Sequence, residues 1–154
     1  MSTPQNPTGR AGSALTYQAP SVPRAVLGWG VAVGVVTVAM PLVFWWLPAA
    51  SVYSMSLVLI AAVYVGFAVA DGRRHVLVVE SLVAAAFVLL AAVATVGPAW
   101  LLVAGLLAHG VKDLWQHRTG FVSGTRWWPP FCVTVDWVAG LLLAVLLAAG
   151  VSTR

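Results

Sequence analysis

Five long apolar runs, divided by short breaks rich in proline, glycine or charge, make up nearly all of the chain after residue 23. They cover about 25–47, 52–70, 76–96, 99–117 and 130–151. A helix needs roughly 20 residues to cross the hydrocarbon of a bilayer, and each run is close to that length. None alternates polar and apolar residues, so membrane strands are not expected. Pro48 and the Gly97-Pro98 pair mark two tight turns. Pro41 falls inside the first run, where a membrane helix tolerates it and kinks. Gly28, Gly30 and Gly34 in the same run predict a close-packing helix face. Residues 1–23 are dominated by Pro, Ser, Thr and Gly without an apolar period. They are expected to form a disordered tail rather than a signal peptide, because no apolar core follows the start. The expected fold class is therefore all-α: an integral membrane bundle of five transmembrane helices over 24–154.

Composition makes lipid the solvent. Of 154 residues, 61% are hydrophobic and 8% are charged, against about 25% charged in a soluble domain. So small a chain could not hide that much apolar surface from water. The net charge of +4 comes from basic residues scattered between the runs, which argues for orientation in a membrane and against a nucleic-acid partner. Arg10 and Arg24 precede the first run, and Arg73 and Arg74 lie between the second and third. Lys112, Arg118 and Arg126 lie at the end of the fourth or just after it. Five alternating spans place all seven on one side. Arg154 alone lies opposite, and the turns at Pro48 and Pro98 carry no charge. This predicts a cytoplasmic N-terminus in a multi-pass cell-membrane protein. Trp45, Trp46 and Trp100 then form the outer aromatic belt, and Trp29, Trp127 and Trp128 the inner one. Lys112 is expected to snorkel to the headgroups. The single cysteine excludes an internal disulfide.

The candidate chemistry is concentrated in 109–137. The chain has four acidic residues and three histidines. His109, Asp113 and His117 follow one another at a spacing of four, which puts them on one helix face. Asp136 follows on the fifth run, four residues after Cys132. Counting at 1.5 Å per residue, Asp113 lies roughly 6 Å and His109 roughly 12 Å deeper than His117. Glu80, Asp136 and Tyr64 reach similar depths from the third, fifth and second runs. Glu80, His109, Asp113 and Asp136 should thus point into one shared cavity open to the cytoplasm. A membrane acid costs about 2.5–3.5 kcal/mol on insertion scales and needs a partner, a metal, a proton or water. His109 and His117 are too far apart for one ion to join both. A metal could join Asp113 to either histidine, with Glu80 or Asp136 completing the shell. Such mixed ligands suit zinc, iron or manganese. In the alternative, Asp113 fixes a histidine tautomer and the imidazole acts as a base. Asp71, beside Arg73 and Arg74, reads as a loop residue. Edge pairing with Arg73, Arg74 or His75 is the plainer account of Glu80. No phosphate loop, dinucleotide fingerprint, CxxC, nucleophile elbow or HExxH is present.

The pattern of His109, Gly110, Asp113 and His117, then Trp128, Pro130, Phe131, Cys132, Asp136 and Trp137, resembles that of a family of small multi-spanning bacterial membrane proteins of unknown function. The resemblance covers mainly the last two runs, with Glu80 in the third. It implies a bacterial membrane location and no particular reaction. A more distant resemblance is to membrane metal-dependent hydrolases that gather His, Asp and Glu or Ser from several helices. This chain lacks their usual seven spans and paired HxxxH motif.

Two classes of function follow. One is a small membrane enzyme acting on a lipid or other apolar substrate. Asp113 with His109 or His117 would bind a divalent metal or form an acid–base pair, and Glu80 and Asp136 would complete the site. The other is a non-catalytic membrane protein, such as a transporter subunit, a proton relay or a partner in a larger complex, using the same residues between helices.

Overall fold

Proline and glycine cut the chain into helices close to where the apolar pattern breaks. The computed structural model describes residues 22–152, which form α1 (Arg24–Val43), α2 (Ala49–Asp71), α3 (Arg74–Val96), α4 (Trp100–Thr119) and α5 (Trp128–Ala148). The expected tail lies outside the described residues except for its last two, as do Arg10 and Arg154. Pro23 and Pro48 precede the first turns of α1 and α2, and Pro129 and Pro130 open α5. There the missing N–H has no helical carbonyl to lose. α2 and α4 stop at Gly72 and Gly120, whose φ of 77° and 58° is the left-handed region that glycine adopts without a Cβ penalty. The first helix is shorter than its apolar run. Pro41 cannot donate to the preceding turn, and the helix ends two residues later; Leu47 N–H then bonds Phe44 C=O to tighten the corner into α2.

α1, α2, α3 and α5 are long and apolar enough to cross a membrane. α4 has the length of a span but is not among them. Its C-terminal half carries His109, Lys112, Asp113, Gln116, His117 and Arg118. The described chain is an all-helical, membrane-like bundle, with large apolar side chains turned outward on several helices, Leu42 and Leu82 among them.

Hydrophobicity alone does not select the inner faces, because these helices are apolar all round. Small residues and spacing do. α2 buries Ala50, Ser54, Leu57, Ala61, Tyr64 and Ala68, a stripe stepping by three or four. α1 packs on α5, α2 on α3 and α4 on α5, with lighter contacts of α4 to α2 and α3. Gly30 and Gly34 provide the α1–α5 contact expected of the glycine face. A Cβ on Gly34 would stand 2.9 Å from the Val135 carbonyl oxygen, and one on Gly30 would stand 2.7 Å from Thr134 Cβ. Gly28 has open space and is not part of that face. Gly110 does the same for α4 on α5, with the Trp137 indole lying against it and donating to the Leu107 carbonyl at 3.3 Å.

The aromatic belts are partly as expected. Trp29, Trp45, Trp46, Trp100 and Trp127 are exposed at the bundle ends. Trp128 is not a free anchor. It packs edge-on against Phe67 and lies beside a core of Tyr64, Ala68, Val76 and Val122.

These contacts set opposite signs for two alanine substitutions. In a helix interior Gly→Ala normally gains about 1 kcal/mol. Gly28→Ala should therefore hold or raise the melting temperature of the purified protein in detergent. Gly34→Ala should lower it, by an overpacking cost of about 1–3 kcal/mol. Equal melting temperatures for the two variants would show that α1 does not seat on α5 in this way.

Candidate metal centre

α4 presents one buried polar face: His109, Asp113 and Gln116, at steps of four and three. α5 brings Asp136 to it and α2 brings Tyr64. His109 Nδ1 stands 2.8 Å from Asp136 Oδ2 and 3.4 Å from Asp113 Oδ2. The imidazole is held between two rings. Phe87 of α3 meets it edge-on at 4.9 Å between centroids, and Tyr64 lies tilted against it at 6.1 Å. His109, Asp113 and Asp136 each offer a ligand atom, and those atoms lie within 4.8 Å of one another. The three side chains are at most 1% exposed. Asp113 has no hydrogen bond to either carboxylate oxygen, and Asp136 Oδ1 has none. The Tyr64 hydroxyl is buried beside Asp113. Cys132, one turn before Asp136, is buried within electrostatic range of both aspartates.

A second polar group adjoins the first. Lys112 Nζ is 2.8 Å from Glu80 Oε2 and 3.1 Å from the centre of the Tyr64 ring. Gln116 donates from Nε2 to Glu80 Oε1 at 2.5 Å, and its Oε1 accepts the Val122 N–H at 3.2 Å. Glu80 is thus neutralised from α4, not by Arg73, Arg74 or His75 at the edge. Lys112 turns inward instead of snorkelling, with 13% of its side chain exposed. The reason is geometric. Position 112 lies three residues after His109, on the flank of the buried stripe, and a buried carboxylate waits on α3.

A third group closes the end of the bundle. Asp71 accepts from Arg73 Nε at 2.6 Å and Arg73 Nη2 at 2.7 Å. It also accepts from the Ser123 N–H at 2.7 Å and from the Ser123 hydroxyl. Arg73 Nη2 reaches the Phe121 carbonyl at 2.6 Å. These hydrogen bonds with Asp71 hold the Arg73 guanidinium above its ordinary pKa range. Asp71 is therefore a clasp fastening the α4–α5 loop to the α2–α3 turn, beyond the loop role expected of it. Val122 of that loop is buried against Tyr64, Ala68 and Val76. The expected open cavity is not found around the four residues named for it: Glu80, His109, Asp113 and Asp136 are all sealed, none more than 1% exposed.

Of the five residues singled out in the sequence, the structure brings His109, Asp113 and Asp136 into one group. Glu80 lies in the adjoining Lys112–Gln116 group. His117 is outside both and lines a separate cavity at the loop. Lys112 and Gln116 were missed as partners in this layer. Gln116 was detectable, since three residues from Asp113 returns to the same face. Lys112 was not, because a lysine near a helix end has two directions available and only the position of α3 chooses.

No protein-family model, no curated protein and no solved structure matches this chain.

Removing one member of a buried ion pair strands the other, at about 3–5 kcal/mol. Lys112→Met should lower thermal stability by an amount of that order, and adding Glu80→Gln should restore most of it. An unchanged melting temperature for Lys112→Met would mean that the ammonium sits at the headgroups after all.

Proposed function

We propose that this chain is a multi-pass membrane protein whose His109, Asp113 and Asp136 bind a divalent metal, and that the metal serves a small membrane enzyme acting on a lipid or other apolar substrate. The observation that carries the reading is the convergence of three ligand atoms within 4.8 Å, with three of the four aspartate oxygens lacking a hydrogen bond. Charge supports it. Glu80 and Lys112 cancel. With His109 ligating as a neutral imidazole, the two aspartates carry two negative charges, which a divalent cation balances. A mixed His and carboxylate set suits zinc, iron or manganese. Three protein ligands leave coordination open, as catalytic sites do and closed structural sites do not. Such a metal polarises a bound carbonyl or phosphoryl oxygen, or lowers the pKa of a bound water. The protein's part is to hold the histidine ring with Phe87 and Tyr64, and to exclude bulk water.

A second reading has its own observation. Both aspartates approach one nitrogen, His109 Nδ1, at 3.4 and 2.8 Å, so a proton taken there from one carboxylate can be handed to the other without a metal. In that reading the protein is a proton-carrying component and not an enzyme.

Metal content separates them. Protein purified in detergent and loaded with zinc, iron or manganese should retain about one ion per chain, since a preorganised site binds tightly. Asp113→Asn and Asp136→Asn should lose it, and Asp71→Asn should keep it. A wild-type chain that retains no ion under any loading sinks the metal reading and leaves the relay.

We further propose five spans with the N-terminus in the cytoplasm of a bacterial cell. α4, at 20 residues, is about 30 Å long. Its polar face is covered by α2, α3 and α5, while Val111 and Trp115 face outward. With Lys112 turned inward, the orientation rests on Arg24, Arg73, Arg74, Arg118 and Arg126 against uncharged turns at Pro48 and Pro98. Reporter fusions after Pro48 and Pro98 should read as external, and those after Gly72 and Gly124 as cytoplasmic. A cytoplasmic signal from a fusion after Arg154 would refute the odd number of spans.

A further inference from the structure

A half-open cavity lies beside the α4–α5 loop, bordered by Gln116 of the second polar group and Ser123 of the third. Its volume is about 210 Å³, and its lining includes Gln116, His117, Ser123, Thr125 and Arg126. Most of these polar walls are already engaged. Gln116 is bonded at both ends of its amide, to Glu80 and to Val122. The Ser123 hydroxyl is held by Asp71, and Thr125 Oγ1 donates to the Val122 carbonyl at 3.0 Å. Two lining side chains remain uncommitted among the described residues, the His117 imidazole and the Arg126 guanidinium. Both are donors to an anion. All four acidic side chains of the chain are engaged elsewhere: Asp71 with Arg73 and Ser123, Glu80 with Lys112 and Gln116, Asp113 and Asp136 with His109. No carboxylate lines the cavity; the nearest engaged one, Asp71, is turned to Arg73 and Ser123. An exposed guanidinium that no acid pairs, at the edge of a concave pocket with an imidazole beside it, has the donors that a tetrahedral oxyanion requires.

We propose that this cavity binds a phosphate group, with Arg126 and His117 as its contacts. The phosphate is carried by a lipid headgroup or is free in the cytoplasm. This deepens the reading of the metal centre and rests on it for one consequence. His117 is one turn from Asp113 on the same helix, roughly 6 Å along its axis, so a lipid anchored here by its phosphate presents its apolar body at the level of the ligand group. The substrate class it names is a phosphate-bearing lipid.

The test is calorimetric titration of the full chain in detergent with short-chain phosphatidic acid, with diacylglycerol of the same chain length, and with inorganic phosphate. Phosphatidic acid should bind about tenfold or more tightly than diacylglycerol. Arg126→Gln, which loses one charge-assisted contact, should remove most of that preference. Adding His117→Gln should abolish the preference. Arg126→Lys should retain part of it, and Arg118→Gln, outside the cavity, should leave it unchanged. If inorganic phosphate binds as tightly as phosphatidic acid and responds to the same variants, the site stands and the source is free phosphate. Equal affinity for phosphatidic acid and diacylglycerol with no binding of inorganic phosphate overturns the proposal. A preference that survives the double substitution in protein of unchanged melting temperature also overturns it. Metal content, measured on the same samples, reads the other site independently. A chain that retains no ion but binds phosphate through Arg126 would sink the metal centre and leave this cavity standing.

Discussion

A carboxylate placed inside a bilayer must find a partner, and that requirement organises this bundle. Two of the four acids, Glu80 and Asp136, are buried within apolar helices. Each is answered from α4, Glu80 by Lys112 and Gln116, and Asp136 by His109. The one described helix that has span length but falls short in apolarity is thus the helix that neutralises its neighbours. The dependence runs both ways. α4 can lie among apolar helices only because its charged groups are covered, and α3 and α5 can carry buried acids only because α4 lies between them. Losing one partner leaves an uncompensated charge where water cannot reach it.

Such pairing requires close approach, and glycine permits it. Gly110 on α4 lets the Trp137 ring lie against the backbone one residue from His109, which draws Asp136 into reach. Gly30 and Gly34 let α1 back the opposite face of α5 near Val135. In lipid there is no hydrophobic drive to bring such helices together, so van der Waals fit between small residues carries much of the association. The polar layer is then positioned by apolar packing beneath and around it.

The two ends of the site differ in kind. Toward the bundle centre the groups are sealed, with His109 gripped by Phe87 and Tyr64. Toward the basic end lies a loop fastened by Asp71 and Arg73, with Val122 plugged into the apolar core and a polar cavity beside it. Gln116 spans the two, holding Glu80 with one end of its amide and the loop backbone with the other. The loop is therefore mechanically continuous with the buried charges. A ligand seated beside Arg126 would touch the same residue that orients Glu80.

The chain's own residues were enough to give the apolar, membrane-like character, the five helices and most of their ends. An apolar run of span length has one low-energy state in lipid, and proline and glycine mark where it stops. They also determined that His109 and Asp113 share a face, since that follows from helical pitch alone, and that Asp136, Glu80 and Tyr64 reach similar depths. Rotation about each helix axis was beyond them. All round, these helices are equally greasy, so no periodic contrast says which side turns inward. Only tertiary packing decided that Asp136 meets His109, that His117 turns to the loop cavity and not to the ligand group, and that Lys112 folds in to Glu80. It likewise decided that Asp71 fastens a loop 52 residues away at Ser123. Each of those outcomes depends on where a second helix or loop stands, and a partner's position is not encoded in the local spacing of the residue that needs it.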